Sequence, residues 1–162
     1  MSAAGEQQPR RSFRLSDDEI WGYVTDAHTG IMTTLRRDGM PIAMPLWFVV
    51  VDRAIYVHTR GKKLARLAHD PRASFLVESG ERWADLKAVH FTGRAGLVEL
   101  ETELLRQVEA ESARKYDAYR LPASDMPAAT AEHYASTMRW VRFVPDARAL
   151  SWDNCKLVGG DA

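Results

Sequence analysis

The sequence predicts a mainly β protein with flanking helices, built as a small antiparallel barrel. Short β-type runs follow one another through tight turns, with Asp38-Gly39 at the centre of the clearest hairpin. Helical patterns precede and interrupt these runs instead of alternating with each strand, which argues against a parallel sheet. The chain also lacks a Gly-x-Gly-x-x-Gly motif and a Walker-type loop, so the usual nucleotide-binding folds have no support.

A chain of 162 residues fits one domain with a real core. Its hydrophobic content of 46% and charged content of 27% are those of an ordinary globular protein. The start of the chain is polar and lacks an apolar signal core, so we expect a flexible tail at residues 1–15. Residues 16–162 then form a single domain.

The first helix is predicted from a capping box. Ser16 and Glu19 have the spacing of reciprocal caps, and the acidic residues suit the positive end of a helix dipole. The helix should run over 17–27, with Ile20, Trp21 and Val24 on one face.

Six strands follow from β-type runs bounded by turns. They are predicted at 31–36, 41–51, 54–59, 73–78, 87–100 and 138–144. The second strand carries a dense apolar run over 46–51, typical of a strand buried on both faces in a closed barrel or at a dimer contact.

Two further helices interrupt or follow these strands. One is predicted at 62–69, and a longer one at 101–119, where Leu104, Val108 and Tyr116 share a face. Residues 121–129 read as a linker, 131–137 as a possible short helix, and 151–156 as a tail.

Charge and hydropathy exclude several classes of partner. Lys+Arg and Asp+Glu are balanced at 22 each, which argues against nucleic-acid or anionic-membrane binding. No apolar run approaches the length of a membrane span, about 20 residues. The single cysteine, Cys155, fits a reducing compartment, so we expect a cytoplasmic protein.

Protein-based catalysis finds little support in the sequence. The five histidines lack metal-site spacing, and no Gly-x-Ser-x-Gly motif is present. Cys155 lies near the end of the chain with no obvious base. We therefore predict neither a metal site nor a catalytic set of side chains, a combination that suits an enzyme whose cofactor carries the chemistry.

An anion site is indicated where the third strand turns into the next helix. Thr59, Arg60, Lys62 and Lys63 cluster around a glycine at the start of that helix. Backbone N–H groups and cations at such a point suit a phosphate. The alternative is a solvated basic helix start, although cations there oppose the helix dipole.

Residues 45–48, Pro-Leu-Trp-Phe, also have two interpretations. A large aromatic residue in a buried strand usually belongs to the core. Alternatively, the backbone edge of this strand and Trp47 line a planar ring.

An ordered set of motifs resembles the pyridoxamine 5′-phosphate oxidase-like superfamily, the FMN-binding split barrels that include flavin and deazaflavin oxidoreductases. The set comprises Asp38-Gly39-x-Pro41, Pro45-x-Trp47-Phe48, Ile55-Tyr-Val-His-Thr59, Gly61-Lys-Lys63, Leu67, Asp70-Pro71-Arg72, Gly93-Arg94-Ala95, Arg142-Phe-x-Pro145, Ser151-Trp152-Asp153 and Lys156. The resemblance covers nearly the whole chain after about residue 15.

The resemblance implies a six-stranded antiparallel split β-barrel that works as a homodimer with two cofactors at the interface. Lys63 would hold the cofactor phosphate, the strand of residues 45–48 would follow the ring, and Trp152 would come from the partner subunit. The implied cofactor-binding residues are Pro45, Leu46, Trp47, His58, Thr59, Arg60, Lys62, Lys63, Glu78 and Trp152.

The chain departs from true pyridoxamine phosphate oxidases, whose richer Arg/Lys signature and long C-terminal substrate segment are not evident. It looks closer to smaller superfamily members that use FMN or the deazaflavin F420, whose polyanionic tail Arg66, Arg72 and Arg82 could meet. We expect an FMN-dependent oxidoreductase that transfers hydride to or from a small organic substrate. The alternatives are an F420-dependent enzyme and a non-catalytic flavin- or haem-binding protein.

Overall fold

The computed structural model describes residues 12–128, 130 and 137–158. Its helices and strands are α1 Asp17–Asp26, β1 Thr29–Leu35, β2 Pro41–Trp47, β3 Val49–Val51, β4 Ala54–Thr59, α2 Lys62–His69, β5 Arg72–Ser79, β6 Lys87–Leu97, α3 Thr102–Tyr116, β7 Arg139–Asp153 and α4 Cys155–Val158. The predicted tail and the predicted helix at 131–137 fall largely outside the described residues. None of the helices that are described is long and apolar enough to cross a lipid bilayer.

The strands form one antiparallel sheet that curls into a split barrel. Their order is β2-β1-β5-β6-β7-β4-β3. The two outermost strands, β2 and β3, are separated in the chain only by Phe48. The sheet must therefore curl until its two edges meet at this residue. The predicted fold class is confirmed, with seven strands instead of six.

The additional strand arises because side chains of α3 hold the backbone of Phe48. Its N–H donates to the Tyr116 hydroxyl oxygen over 2.9 Å, and its carbonyl lies 2.6 Å from the same hydroxyl. Lys115 donates to that carbonyl over 3.1 Å. Both backbone groups of Phe48 are thereby occupied by α3, and the predicted strand at 41–51 divides into β2 and β3.

The barrel interior is filled by aromatic and branched side chains. Phe75 packs edge-on against Phe48 at 4.9 Å between ring centroids and lies 5.9 Å from Phe143. A second cluster forms outside the barrel, where Val108 and Tyr116 of α3 pack on Val49 and other residues of β3 and β4. Helix α3 therefore covers one outer face of the barrel.

Local sequence signals placed most elements correctly. The predicted boundaries of β4 and α2 are confirmed, and α1 begins with the predicted capping box: Ser16 N–H donates to Glu19 over 2.6 Å. The long helix also forms, ending at Tyr116 before a 3-10 turn, Asp117–Tyr119.

The last strand was predicted too short. It continues through the predicted tail to Asp153, because β6 offers a long antiparallel partner that pairs Lys87 with Asp153. A register shift interrupts this ladder between Phe91 and Gly93, opposite the stretch that begins at Pro145. This bulge interrupts the alternation of apolar and polar residues from which a strand is predicted. The second half of β7 therefore could not be predicted from the sequence.

Gly30 is required by close packing in β1. A Cβ atom built on Gly30 would overlap the edge of the Phe75 ring. We expect Gly30→Ala to lower the free energy of unfolding by about 1–3 kcal/mol in urea denaturation, because the core must shift to admit the methyl group.

The matched control is Gly22→Ala on α1, where an added Cβ meets no atom within 4 Å. This change should stabilise the protein by about 0.5–1 kcal/mol, since alanine is the better helix former. Equal effects of the two substitutions would contradict the packing argument.

The hydrogen bonds between Tyr116 and Phe48 predict the effect of a second substitution on stability. Tyr116→Phe removes the hydroxyl and leaves the buried Phe48 N–H without this acceptor. The free energy of unfolding should fall by about 1–3 kcal/mol. Tyr119→Phe, at a ring that is 61% exposed, is the control and should change stability by less than about 0.5 kcal/mol. Similar values for both variants would show that the Phe48 contacts are not important for stability.

Candidate cofactor and ligand site

The predicted anion site lies at the turn between β4 and α2. Gly61 occupies the N-cap position with φ of 70°, a left-handed conformation that glycine adopts without strain, and no side chain caps the helix there. The first amides of a helix have no intrahelical acceptor, so this end presents N–H groups outward. Lys62 is exposed, Lys63 and Arg60 are half-buried, and Thr59 is buried. The turn thus combines cations with unused backbone donors.

The three arginines that could contact a polyanionic tail are engaged within the chain. Arg66 donates to the Thr34 hydroxyl over 2.7 Å and fixes α2 against β1. The other two pair with carboxylates: Arg72 with Asp70 at 2.7 Å and Arg82 with Asp85 at 3.5 Å. The Arg72 side chain holds the pKa of Asp70 at about 2.

The predicted ring-lining residues lie on β2, an outermost strand of the sheet. Pro45 pairs with Ile31 and Leu46 with Gly30 of β1. Pro45 is exposed and Leu46 half-buried. Among the strands that the structure describes, β2 has a ladder partner on one side, so this sheet leaves its other backbone edge unpaired.

Trp47 and His58 are brought together, but away from Thr59. The Trp47 indole stacks on the Tyr116 ring at 4.5 Å and 6°, and His58 stacks on Trp140 at 4.6 Å and 22°. Both line one cavity beneath α3. Since successive strand residues point to opposite faces, the buried Thr59 side chain lies on the other face of β4 from His58.

Glu78 and Trp152 share the outer face of the sheet. Both lie directly opposite Ala88, Glu78 on β5 and Trp152 on β7. The neighbouring β5 residue Val77 points into the core. Glu78 is exposed and Trp152 is 37% exposed. Register also aligns Pro45 with a row on this face, through Ile31, Leu76, His90 and Leu150.

The cavity beneath α3 was not predicted from the sequence. It has a volume of about 610 Å³, within the usual range of small-molecule sites, roughly 300–1,000 Å³. Besides Trp47 and His58, its lining includes Tyr116, Trp140 and Arg120. Tyr56 and His58 are two residues apart on β4, so the sequence places both on the same face of the strand, which was a possible signal of an aromatic surface. Locating the cavity also required knowing that β7 and α3 flank that strand.

Burial shifts the pKa values of several groups around this cavity. It raises the pKa of Tyr116 to about 12, so the hydroxyl stays protonated. Partial burial, and then the nearby charge of Arg120, lower the pKa of His58 below its usual 6.5. These effects favour the neutral form of the His58 ring. Within the described ranges, no three His, Cys, Asp or Glu side chains group as a metal site would require.

The chain matches the family described as pyridoxamine 5′-phosphate oxidase over residues 16–149. It belongs to this family. No curated protein matches the chain by sequence. Among solved structures, the conserved hypothetical protein Rv2991 of Mycobacterium tuberculosis is 31% identical, with a TM-score of 0.74 and coverage of 96% of this chain and 95% of that one.

Other members of this structural group show how varied their described ligands are. A FAD-binding protein of Mesorhizobium loti is 21% identical, with a TM-score of 0.62 and coverage of 85% of this chain and 93% of that one. The heme storage protein HutZ of Vibrio cholerae is 17% identical, with a TM-score of 0.62 and coverage of 84% and 94%. At these identities the likeness shows the fold alone. The comparisons thus establish the family and the split-barrel fold.

Lys115 makes the free energy of unfolding of the protein dependent on pH. Burial lowers the Lys115 pKa from 10.5 to about 8, so between these values the unfolded chain binds more protons than the folded one. The free energy of unfolding should therefore rise with pH in this window. From pH 7.5 to 9.5 we expect the wild type to gain about 1–2 kcal/mol relative to Lys115→Met in urea denaturation.

Other groups that titrate in this pH range are present in both proteins. Their contributions to the pH dependence therefore cancel when the wild type is compared with Lys115→Met. Lys62→Met makes the same chemical change at an exposed position and is the control. It should follow the wild-type pH dependence. A parallel course for wild type and Lys115→Met would contradict the assignment.

Proposed function

We propose that this protein is a homodimeric, FMN-dependent oxidoreductase that transfers hydride to or from a small organic substrate. The observation that carries the proposal is the cation-rich turn between β4 and α2, in a member of a family whose structural relatives include flavin-binding proteins. The exposed Cys155 thiol suits a reducing compartment such as the cytoplasm.

The turn fits a phosphate monoester. Gly61 permits the left-handed backbone that opens the start of α2, and Lys62 and Lys63 add positive charge beside the free amides. A bound dianion would also relieve the unfavourable placement of two lysines at the positive end of a helix. Thr59 and Arg60 complete the proposed cradle.

The flavin ring would follow the open backbone edge of β2 at Pro45, Leu46 and Trp47. A bound FMN supplies a two-electron hydride acceptor or donor, which the described side chains do not. The protein's role is then to orient the ring and to exclude water. The parallel stack on Tyr116 fixes the Trp47 indole for this purpose.

The cavity beneath α3 is the proposed substrate site. Trp47 belongs to its lining and also to the strand that we assign to the ring, so a molecule in the cavity lies beside the cofactor. Its aromatic walls suit an unsaturated or aromatic substrate.

FMN suits the site better than F420. The arginines that could contact a long polyanionic tail, Arg66, Arg72 and Arg82, are engaged by Thr34, Asp70 and Asp85. A non-catalytic haem-binding role is the second candidate, supported by His58 in the wall of an apolar cavity. Purification followed by visible spectroscopy separates these cases, because flavin, deazaflavin and haem absorb differently.

The outer face of the sheet is the proposed dimer contact. It carries Leu150 at 66% exposure and Trp152 at 37%, in rows with the half-buried Ile31 and Leu76. Exposed apolar side chains in rows of this kind mark protein interfaces. Glu78 and Trp152 would then reach the cofactor at the interface. Sedimentation of the purified protein tests this part directly.

Replacing Lys63 tests the phosphate site. Lys63→Ala should weaken FMN binding about tenfold or more, because it removes a charge-assisted contact to the phosphate. The measurement is titration of apoprotein with FMN, followed by quenching of flavin fluorescence. Riboflavin, which lacks the phosphate, should bind wild type and variant alike.

Arg37→Ala is the control, since Arg37 is an exposed cation in the hairpin between β1 and β2. It should bind FMN as the wild type does. Unchanged affinity in Lys63→Ala would refute the phosphate assignment. Failure of the wild type to bind FMN, FAD or F420 at micromolar concentrations would refute the proposed function.

A further inference from the structure

We infer that the cavity beneath α3 selects uncharged planar aromatic molecules over anionic ones that carry the same ring. The inference rests on the proposed role of this cavity as the substrate site and names the class of substrate. It follows from the shape of the walls and from the balance of charges around them.

The walls favour a flat molecule. Two pairs of parallel rings line the cavity: Trp47 on Tyr116, inclined by 6°, and His58 on Trp140, inclined by 22°. Indole and phenol rings stack with other aromatic rings and bury apolar area without leaving polar groups unpaired. A fused bicyclic ring therefore gains stacking contacts with these walls.

The charges that line the cavity cancel. Among the described lining residues, those ionised at neutral pH are Glu109 and Arg120, of opposite sign. The Arg120 guanidinium is also shared, because its Nε lies 3.2 Å from an Asp117 carboxylate oxygen and its terminal nitrogen donates to Ser112 over 2.9 Å. Partial burial lowers the pKa of His58 and so favours its uncharged form.

The buried cation nearest the cavity, Lys115, is turned away from a ligand. Its Nζ lies 4.0 Å from the Phe48 ring centre and donates to the Phe48 carbonyl. Phe48 belongs to the cavity lining, whereas Lys115 does not. Glu111 on α3 and Asp26 on α1 offset its field, while Arg114 on α3 adds positive charge. Lys115 therefore gives an anion little attraction inside the cavity.

These conditions penalise an anionic ligand. A carboxylate that enters an aromatic cavity loses hydration, and this cost is recovered only through a free, well-placed cation. Arg120 already has two partners, and Glu109 repels an anion. An uncharged molecule incurs no such cost and keeps the full stacking contribution.

Three probes with the same ring test the inference: 2-naphthamide, 2-naphthoate and 2-naphthylmethylammonium. Each is titrated calorimetrically at pH 7.5 into the protein as purified, with its cofactor. We expect the uncharged amide to bind about tenfold more tightly than 2-naphthoate. Ala113→Met, which fills the cavity from α3, should abolish binding of the amide and so locate it in this cavity.

A substitution that changes the charge of the lining should shift the affinities of the charged probes in opposite directions. Glu109→Gln leaves the lining with a net positive charge, so 2-naphthoate should bind about fivefold more tightly, the ammonium more weakly and the amide unchanged. Glu103→Gln is the matched control on α3, at a residue paired with Arg106 and outside the cavity lining. It should alter none of the three affinities.

Three outcomes would overturn the inference: 2-naphthoate binding wild type as tightly as the amide, an equal response of all probes to Glu109→Gln, or no binding of any probe. Cofactor binding is read separately from visible absorbance. Binding of the amide to a protein that takes no flavin would refute the proposed function while supporting the selectivity of the cavity.

Discussion

The structure depends on the hydrogen bonds that one side chain makes with the backbone of one residue. The Tyr116 hydroxyl satisfies both backbone groups of Phe48, with Lys115 as an additional donor to the carbonyl. Phe48 is the only residue between the two edges of the sheet. Without partners, its buried N–H and carbonyl would each cost about 1–3 kcal/mol. Satisfying them from α3 allows the chain to leave one edge and enter the other, and so allows the barrel to curl.

The same contact connects the scaffold with the candidate site. The Tyr116 ring that carries the hydroxyl also supports the Trp47 indole and forms part of the cavity wall. The hydroxyl lies 2.8 Å from the His28 carbonyl as well, at the start of β1. Helix α3 therefore positions the end of β2, the break at Phe48 and the cavity together. A change in α3 packing should affect both folding and ligand binding, because the two share these atoms.

Signals confined to a few neighbouring residues were sufficient to predict much of the fold. The capping box at Ser16 and the glycine before Lys62 placed α1 and α2, since a helix start is determined within one turn. The break at Phe48 was not predictable in this way, because its partner lies 68 residues away. The cavity was missed for a similar reason: its walls come from β4, β7 and α3, and no local pattern shows that these surfaces meet.

Strand β4 explains why residues adjacent in sequence separate in space. Its alternation directs Thr59 towards the barrel and His58 towards the cavity. The cations that follow Thr59 therefore collect at the start of α2, on a different side of the strand from the charge-balanced aromatic walls. This separation suits a cofactor that has an anionic phosphate and an aromatic ring, bound beside an uncharged substrate. Positive charge at the turn would stabilise a bound phosphate. A flat, uncharged substrate binds better where there is no net charge. One strand can meet both conditions only because its two faces point to different surroundings.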